Sequence, residues 1–281
     1  MTREAMHQSG RLMPFLRWAG GKRWLVPMLP ALIGDIRLNN YHEPFVGGAS
    51  VFLGISPAGG KSYLADLSAG LMETYRRVRD DPDGVATHLR PHKNDAEHYY
   101  KVRQSKPRSA NGRAARFIYL NHTSFNGIHR VNLAGVYNVP FGRRSKVFVP
   151  DRTWLREVSS RLQGVDLRVG DFEDGLQNVT EGDLVFLDPP YTVAHDNNGF
   201  IKYNQRLFSF ADQQRLSRVV DTVRDRGGYY ILTNAAHPSI SELFEKGDRR
   251  ITTRRRNSVG GSSADRGSAQ EFLFTNLPDH E

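Results

Sequence analysis

Residues 184–191 read LVFLDPPY, and this stretch is the most informative part of the 281-residue chain. The four apolar residues predict a buried strand, and Asp188 follows at its carboxyl end, where open α/β sheets carry their ligands. Pro189 and Pro190 have no backbone N–H, so the loop offers carbonyl oxygens but few donors. Such a loop is suited to hold an amino group. Tyr191 adds a flat face on which a planar heterocycle can stack.

Because Asp-Pro-Pro alone is also compatible with an ordinary turn, a second pattern is needed to interpret it. Residues 41–49, YHEPFVGGA, indicate a strand that turns through Gly47, where a ligand can approach the backbone closely. A further strand ends at Asp66, 19 residues after Gly47, about where nucleotide-binding sheets place the acid that binds ribose hydroxyls. The glycines lack the Gly-x-Gly-x-x-Gly order of a phosphate fingerprint. This favours a nucleoside-type cofactor without phosphates, and S-adenosylmethionine fits that description.

Taken together and in this order, the motifs resemble those of the Dam-type DNA adenine-N6 methyltransferases, which are amino-group methyltransferases with a DPPY motif. The motifs are WAGGK at residues 18–22, EPFVGG at 43–48, Asp66 and DPPY at 188–191. The resemblance continues through SFNG at 124–127, RVNL at 130–133, YNVPFGR at 137–143 and RRNS at 255–258. It covers nearly the whole chain from Phe15 onwards.

The resemblance implies an α/β fold: a Rossmann-like, S-adenosylmethionine-dependent methyltransferase sheet with an inserted, mostly helical DNA-recognition domain that carries a β-hairpin. We expect residues 1–75 and 147–281 to form a discontinuous catalytic domain, and residues 76–146 to form the inserted target-recognition domain. Sequence periodicity predicts helices near 23–33, 97–104, 113–120, 152–162 and 211–226, strands near 62–65, 165–169 and 229–233, a hairpin around 134–135, and an antiparallel pair of 249–256 with 271–276.

The distribution of charge points to nucleic acid. The formal net charge is +9, and residues 76–146 contain 15 lysines and arginines against 5 acidic residues. Residues 117–146 contain no acidic residue at all. Basic residues among polar and aromatic ones are typical of a surface that contacts phosphates and base edges, although a solvated basic face has the same composition. We therefore expect double-stranded DNA as the partner.

Roles are expected for three sets of residues, and among the cofactor contacts the resemblance itself assigns Trp18, Lys22, Asp66 and Asp188. Catalysis is expected of Asp188, Pro189, Pro190 and Tyr191. Cofactor contacts are expected of Trp18, Lys22, Phe45, Gly47, Asp66, Asp171, Phe172 and Asp188, although Asp-Phe after a strand is also a common loop start. DNA contacts are expected of Asn126, Arg130, Asn132, Asn138, Pro140 and Arg143, and phosphate contact is an alternative to base reading for the two arginines. The histidines show no metal-ligand spacing, and no metal is expected.

These roles predict a reaction. If the Asp188 carboxylate and the Pro189 carbonyl each accept one N6 hydrogen of adenine, the nitrogen lone pair is directed at the methyl donor, and direct displacement follows without a metal. The adenine must be flipped out of the duplex to reach such a pocket. Methylation of another exocyclic amine, cytosine N4 or RNA adenine, stays open as an alternative, as does a non-catalytic DNA-binding relative.

Composition excludes other classes. The chain contains no cysteine, which excludes disulfides and the nucleophile of a carbon-5 cytosine methyltransferase. No apolar stretch reaches the roughly 20 residues that span a bilayer, and no secretion signal is evident, so a cytoplasmic location in a prokaryote or phage-infected cell is expected. The loops at 192–198 and 258–267 are expected to order around substrate.

Two further features are left open by the sequence. A cognate restriction endonuclease is a possible partner, but the chain could equally act alone or come from a phage. Members of the resembled family are best known for marking GATC. Here Ala134 stands where we expect an arginine and Val131 replaces an aromatic residue, so the recognition sequence is not predicted.

Overall fold

The computed structural model describes residues 7–8, 11–57, 59–132, 135–192, 208–256 and 268–279. Its strands, numbered along the chain, are β1 His7–Gln8, β2 Arg11–Leu12, β3 Tyr41–Glu43, β4 Ser62–Asp66, β5 Asp166–Val169, β6 Leu184–Leu187, β7 Tyr229–Ala235, β8 Arg249–Arg256 and β9 Ser268–Thr275. Its α-helices are Leu29–Ile33, Ser50–Ile55, Ala69–Asp80, Pro82–Leu89, Ala96–Gln104, Ala110–Thr123, Arg152–Leu162, Phe172–Gly175, Phe210–Asp225 and Pro238–Phe244, and a 3-10 turn covers Phe125–Gly127. The chain is an α/β protein, as its sequence predicts.

Contacts within the chain group it into two compact units. The first contains residues 1–30, 46–57 and 66–169, and the second contains residues 31–45, 58–65 and 170–281. This grouping differs from the expected division into a discontinuous catalytic domain and an insertion at 76–146. The expected division says which parts of the chain form each domain. A grouping by contacts does not test it, so it stays a prediction.

The first unit is mostly helical. Its helices Ala69–Asp80, Pro82–Leu89, Ala110–Thr123 and Arg152–Leu162 pack against one another. The side chains between them are withdrawn from solvent and include Leu71, Met72, Tyr75, Val78, Val85, Ile118, Leu155 and Val158. The helices predicted at 97–104 and 113–120 are confirmed, and both are longer than predicted.

Short polar residues begin these helices. Asp81 accepts the N–H of Gly84 at 2.9 Å, and Asp151 accepts the N–H of Trp154 at 2.9 Å. A cap of this kind contributes about 1 kcal/mol to stability. The helix predicted at 152–162 is confirmed at both ends.

The helix predicted near residues 23–33 is mostly wrong. Residues 23–28 form turns, and only Leu29–Ile33 is helical. Pro27 interrupts the predicted helix, since it has no N–H and disfavours the α conformation at the residue before it. Pro30 is tolerated because it lies in the first helical turn, where N–H groups have no partner within the helix.

In the second unit, strands of the main sheet lie side by side in the order β4-β3-β6-β7-β9-β8. β4, β3, β6 and β7 are parallel, and β9 runs antiparallel between β7 and β8. The predicted antiparallel pair is thus confirmed, with β9 starting earlier than predicted. All four residues of β6 are buried, as expected for a central parallel strand with an uninterrupted apolar run.

The strand order reverses between β3 and β6. In the chain β4 follows β3, but it lies on one side of β3 while β6 lies on the other. Such a switch point opens a crevice beyond the carboxyl ends of the strands, and α/β sheets bind ligands there. Phe45 follows β3 and Asp188 follows β6, so both residues stand after the carboxyl ends of neighbouring strands.

The core of the second unit lies between this sheet and the helix Phe210–Asp225, which packs on β7. Ser209 begins this helix with a capping box: its hydroxyl accepts the N–H of Asp212, whose carboxylate accepts the N–H of Ser209. The predicted helix at 211–226 is confirmed to within one residue. The buried side chains of this core include Val185, Leu187, Leu216, Val220, Tyr230, Leu232, Phe244 and Phe274.

In its described part, the predicted hairpin forms local backbone hydrogen bonds and no regular pair of strands. Val131 and Tyr137 form an isolated antiparallel bridge, and the N–H of Asn132 donates to the carbonyl of Val136 at 2.9 Å. The expected turn residue Ala134 lies outside the described residues.

Two loops that the sequence singles out, 192–198 and 258–267, lie outside the described residues except for Thr192. Within the described ranges, no helix combines the length and the apolar character needed to cross a bilayer.

Candidate functional site

The glycine turn in the first unit is built around Gly47. Its φ of 44° lies in the left-handed region, which glycine adopts without strain. A Cβ at this position would also lie 2.6 Å from Nε1 of Trp18. The Gly47 carbonyl accepts a hydrogen bond from the Tyr75 hydroxyl at 2.8 Å. The turn therefore requires glycine, and it brings two predicted cofactor residues, Trp18 and Gly47, into contact.

Asp66, the last residue of β4, closes this turn. Its Oδ2 accepts the N–H of Gly47 at 3.1 Å, and its Oδ1 accepts the N–H of Ser68 at 2.9 Å. Burial raises the pKa of Asp66, and the two hydrogen bonds act against that rise. The carboxylate predicted to bind ribose hydroxyls is thus fixed at the glycine turn.

Lys22 is buried, with 2% of its surface exposed. Its backbone N–H donates to the Ser50 hydroxyl at 3.0 Å, which links the WAGGK segment to the helix after the glycine turn. Its ammonium donates to the Gly20 carbonyl at 2.8 Å. A lysine held in this way is a point charge suited to an anionic group such as a carboxylate.

The tetrapeptide at 188–191 is attached to the sheet of the second unit. Asp188 Oδ1 accepts a hydrogen bond from the Thr233 hydroxyl on β7 at 2.8 Å. The Tyr191 hydroxyl donates to Oε2 of Glu271 on β9 at 2.9 Å. Burial raises the pKa of Tyr191 well above its ordinary value, and the nearby Asp188 and Glu271 raise it further, so the phenol keeps its proton. The sequence assigned no role in the site to Thr233 or Glu271.

The residue after the tetrapeptide is anchored as well. The Thr192 hydroxyl donates to the Phe208 carbonyl at 3.1 Å and accepts from the Gln213 amide at 3.0 Å. Gln213 in turn accepts from the Asn234 amide on β7 at 2.9 Å. Thr192, Gln213 and Asn234 are all buried, so the residue that follows the tetrapeptide is anchored in the core of the second unit by side-chain hydrogen bonds.

Phe45 and Phe172, both predicted cofactor contacts, lie together in the second unit. Their rings stack with centroids 5.3 Å apart, and Phe208 packs edge-on against Phe45 at 5.6 Å. The Arg215 guanidinium lies 4.8 Å over the Phe172 ring. Phe45 is only partly buried, so its ring offers a flat apolar contact of the kind a heterocycle needs.

Asp171 has partners that sequence analysis did not anticipate. Its Oδ1 accepts the N–H of Glu173 at 3.0 Å and so begins the helix Phe172–Gly175. The same oxygen accepts from the Arg215 guanidinium at 2.8 Å. The carboxylate is therefore held by the protein itself, and contact with the adenine of a cofactor stays a prediction for Asp171.

The residues predicted to contact DNA are all exposed in the first unit: Asn126, Arg130, Asn132, Asn138, Pro140 and Arg143. Between residues 137 and 140, buried residues alternate with them along the chain. The Tyr137 hydroxyl donates to the Ile128 carbonyl at 3.1 Å, and the Val139 carbonyl accepts from the Tyr99 hydroxyl at 2.8 Å. The alternation anchors the segment on one side and turns the predicted DNA contacts to solvent.

Some predicted DNA contacts are already ordered by their neighbours. Arg130 Nε donates to the Asn138 side chain at 2.9 Å, which joins two of them. The Asn132 side chain accepts the N–H of Val136 at 2.9 Å. Asn126 adopts a positive φ of 54°, a conformation that asparagine accepts more readily than most residues.

Comparison with known proteins identifies the family. The model of the D12 class N6 adenine-specific DNA methyltransferases matches residues 18–258. The chain belongs to that family. It is 32% identical to the type II methyltransferase M1.LlaDCHI of Lactococcus lactis subsp. cremoris, over 94% of this chain and 95% of the relative. It is 33% identical to the type II methyltransferase M.MjaIII of Methanocaldococcus jannaschii, over 79% and 84%. It is 29% identical to the DNA adenine methylase of Escherichia coli K12, over 94% and 95%.

Family membership confirms the predicted resemblance and the enzyme class. A D12 class methyltransferase acts on the N6 amine of adenine in DNA, so cytosine N4 and RNA adenine are no longer supported as alternatives. The family also implies S-adenosylmethionine as the methyl donor. The roles of individual residues in this member stay predictions.

One exposed aromatic residue in this D12 member was missed by sequence analysis. Phe125, in the motif SFNG, is 46% exposed, directly before Asn126. The sequence places it in a motif of the resembled family but does not indicate that its ring faces solvent. Val131 and Val136 are also exposed, so residues 125–143, the predicted recognition segment, present apolar groups among their polar ones.

Several arginines of the basic segment serve the fold instead of a partner. Arg116 donates to the carbonyls of Val102 and Arg103, and Arg144 donates to the carbonyls of His122 and Ser124. Burial lowers the pKa of both Arg116 and Arg144. The count of basic residues therefore overstates the charge available to DNA phosphates.

Proposed function

We propose that this protein transfers a methyl group from S-adenosylmethionine to N6 of an adenine flipped out of duplex DNA at a specific sequence. The observation that supports this most is the attachment of Asp188 and Tyr191 to the sheet at the carboxyl end of β6. A carboxylate and a tyrosine ring held in this way suit a planar base with an exocyclic amine.

The chemistry of this step belongs to Asp188 and Pro189. The lone pair of adenine N6 is delocalised into the ring and is a poor nucleophile. When the Asp188 carboxylate and the Pro189 carbonyl each accept one N6 hydrogen, the nitrogen moves toward tetrahedral geometry and its lone pair is available. As the nitrogen bonds to the methyl carbon, the carbon–sulfur bond would break and the sulfur would leave as a neutral thioether. Asp188 stabilises the positive charge that builds on the nitrogen until one N6 proton is lost. Pro190 stiffens the loop, and Tyr191 stacks on the base.

The cofactor is assigned to residues whose chemistry fits its parts. When bound, S-adenosylmethionine supplies an electrophilic methyl group on its sulfonium sulfur. Asp66 suits the ribose hydroxyls, Lys22 suits the methionine carboxylate, and Trp18 suits the sulfonium region. Gly47 leaves the backbone open to close approach, which its positive φ and lack of a side chain allow. Contacts from Phe45, Phe172, Asp171 and Asp188 complete the assignment.

This assignment is tested by cofactor affinity. Lys22→Ala removes the charge expected to meet the carboxylate and should weaken the binding of S-adenosylhomocysteine by about 10- to 100-fold. Lys22→Arg keeps the charge and is the matched control. Isothermal titration measures both, and equal affinity of Lys22→Ala and the unchanged protein would remove Lys22 from the assignment.

Flipping of the target base leaves a gap in the duplex, and exposed residues of the recognition segment are suited to fill it. We assign this role to Phe125, because its ring is 46% exposed beside Asn126. Arg130, Asn132, Asn138 and Pro140 are assigned to the neighbouring bases, and Arg143 to base edges or phosphates. Unstacking the target costs a few kcal/mol, which these contacts offset.

The test is methyl transfer by the purified protein. Labelled S-adenosylmethionine is incubated with the protein and with duplex DNA, single-stranded DNA or RNA, and the product nucleoside is identified by mass spectrometry. N6-methyladenine in duplex DNA is the expected product. N4-methylcytosine, or transfer to RNA alone, would refute the proposal. Failure to label any substrate would favour a DNA-binding relative without activity.

The recognition sequence and a partner nuclease require a cell-based test. Methylation-sensitive sequencing of DNA from cells expressing the chain identifies the site. Two similar proteins are named type II methyltransferases, and on that basis we propose a restriction endonuclease of the same specificity as a partner. Resistance of the methylated DNA to an endonuclease encoded beside this chain is the expected result, and cleavage would refute the partnership.

A further inference from the structure

Two buried polar residues of the sheet contact the two ends of the tetrapeptide. Thr233 is 1% exposed, and its hydroxyl donates to Asp188 Oδ1 at 2.8 Å. Glu271 is 5% exposed, and its Oε2 accepts the Tyr191 hydroxyl at 2.9 Å. Neither residue belongs to the DPPY motif. They come from different strands, 38 positions apart in the chain.

The strands that carry these residues are firmly paired. Leu187 of β6 lies opposite Leu232 of β7, so the chain reaches Asp188 and Thr233 one step further along both strands. On the other side of β7, Glu271 of β9 lies opposite Ala235. Side chains on paired strands are held more closely than side chains on loops. The tetrapeptide thus takes its side-chain geometry from β7 and β9.

Burial of these two groups calls for an explanation. A buried hydroxyl or carboxylate costs free energy unless it forms hydrogen bonds, whereas valine would fill the position of Thr233 with nearly the same shape and no polar atom. The Thr233 hydroxyl lies 2.8 Å from Asp188 Oδ1 and 3.4 Å from the Leu187 carbonyl, so its shorter hydrogen bond is to Asp188. The Glu271 carboxylate accepts from Tyr191, the other residue that the proposed reaction uses. Thr233 orients the Asp188 carboxylate, and Glu271 orients the plane of the Tyr191 ring through its hydroxyl.

We infer that Thr233 and Glu271 are positioning residues for methyl transfer: Thr233 sets the orientation of the Asp188 carboxylate, and Glu271 sets the orientation of the Tyr191 ring. This inference rests on the proposed function. Neither residue touches the reacting atoms, so each acts on the rate of the chemical step and leaves the affinities for cofactor and DNA unchanged.

The first experiment compares Thr233→Val with Thr233→Ser. Valine removes the hydroxyl at nearly constant volume, and serine retains it. We expect Thr233→Val to lower the single-turnover rate by about tenfold or more and Thr233→Ser to stay within about threefold of the unchanged protein. The dissociation constants of S-adenosylhomocysteine and of duplex DNA should not change for either variant. Equal single-turnover rates for the two variants would refute the role of Thr233.

The second experiment tests whether Glu271 acts through Tyr191. Glu271→Gln retains an acceptor oxygen and should keep most of the activity, whereas Glu271→Ala should lose about tenfold in single-turnover rate. In a Tyr191→Phe background, which lacks the hydroxyl, Glu271→Ala should cause no further loss. A full additional loss in that background would mean that Glu271 acts on the fold alone, and would refute the inference.

A spectroscopic measurement separates positioning from stability. A duplex with 2-aminopurine at the target position reports extrusion of the base as a rise in fluorescence. We expect Glu271→Ala to permit the rise but to leave the extruded base less quenched, since its stacking partner is less fixed. A signal identical to that of the unchanged protein, together with an unchanged rate, would refute the role of Glu271.

The inference and the proposed function fail in different ways. If the unchanged protein methylates no nucleic acid, the proposed function fails before any variant is made. If the unchanged protein is active and both Thr233→Val and Glu271→Ala match its rate, the inference fails while the proposed function stands. Because the two residues lie on different strands, each arm of the test decides the role of its own residue.

Discussion

The tetrapeptide at 188–191 and the recognition segment at 125–143 are both expected to contact the DNA substrate, but they are built in opposite ways. The side chains of Asp188 and Tyr191 are bonded to buried residues of a sheet. The recognition segment instead has its predicted contact residues exposed, and the bonds between them, such as that of Arg130 with Asn138, are also exposed.

The difference corresponds to what each region has to do. A hydrogen-bond acceptor in a catalytic site must be held within about 0.5 Å of its productive position, because a misplaced group loses much of its effect on rate. A DNA-reading surface must instead form its bonds with the partner, so its polar groups stay accessible to solvent until binding. Rigid support is therefore found where we propose that the chemistry takes place, and exposure where we propose that the DNA sequence is read.

The largest effect is expected from Asp188, in the rigid region. Asp188→Ala should lower the rate of methyl transfer by at least about 1000-fold, since it removes both an acceptor of the N6 hydrogens and a stabilising charge. Asp188→Asn retains one acceptor oxygen and is the matched control, with an intermediate loss expected. Single-turnover methylation measures both rates.

The same variant tests whether the two regions have separate tasks. Duplex binding by Asp188→Ala should stay within about threefold of the unchanged protein, because no phosphate contact is removed. A parallel loss of DNA affinity and rate would mean that the tetrapeptide and the recognition segment do not have separate tasks.

The second effect concerns the recognition segment. Arg130→Ala should lower kcat/KM at the cognate site by about 10- to 100-fold and should reduce the discrimination against sites with one changed base pair. Arg143→Ala is the comparison: loss of a phosphate contact weakens binding evenly across sites and lowers its dependence on salt. Competition binding over a set of single-substituted duplexes distinguishes the two outcomes. An even loss across all sites for Arg130→Ala would assign Arg130 to the backbone of the DNA.

The sequence is a good guide to the rigid region at the level of the backbone. An apolar run ended by Asp-Pro-Pro predicts a buried strand and an acidic loop, and β6 and Asp188 agree with it. The helical periodicity predicts the helix Arg152–Leu162 to the residue. The helix predicted near 23–33 is mostly wrong because Pro27, which lacks an N–H, outweighs the apolar periodicity.

The supporting side chains were not predictable in the same way. Thr233 and Glu271 contact the tetrapeptide only because β7 and β9 pair in one particular register, and a single sequence does not specify which strands become neighbours. The charge of the basic segment has a similar limit. Composition counts Arg116 and Arg144 as available cations, while the fold uses both to satisfy backbone carbonyls.

A third, smaller effect is expected from Phe125. Phe125→Ala removes the exposed ring assigned to the gap left by the flipped base and should lower kcat/KM by about tenfold, with less 2-aminopurine fluorescence at the target position. Val136→Ala is the control, since Val136 is 54% exposed and belongs to the same segment but carries no ring. If both variants lose equally, the exposed apolar surface as a whole matters, and the specific role of Phe125 is wrong.

The smallest effect concerns the inner side of the recognition segment, at His129. Its ring stacks on Trp18 with centroids 5.9 Å apart and on Phe117 at 4.9 Å. Burial lowers the pKa of His129 from 6.5 to about 4. The folded protein therefore binds this proton less readily than the unfolded chain, so stability is lost as the pH falls from 6.5 towards 4.

His129→Phe keeps a flat ring in the stack and cannot be protonated. The midpoint of acid unfolding should move to lower pH by a few tenths of a unit, roughly, while stability at pH 8 changes little. Circular dichroism during an acid titration measures the midpoint. His92→Phe is a parallel test, because burial also lowers the pKa of His92 to about 4. An unchanged midpoint for His129→Phe would mean that His129 takes up its proton in the folded state, and that the recognition segment is less firmly anchored than its inner contacts imply.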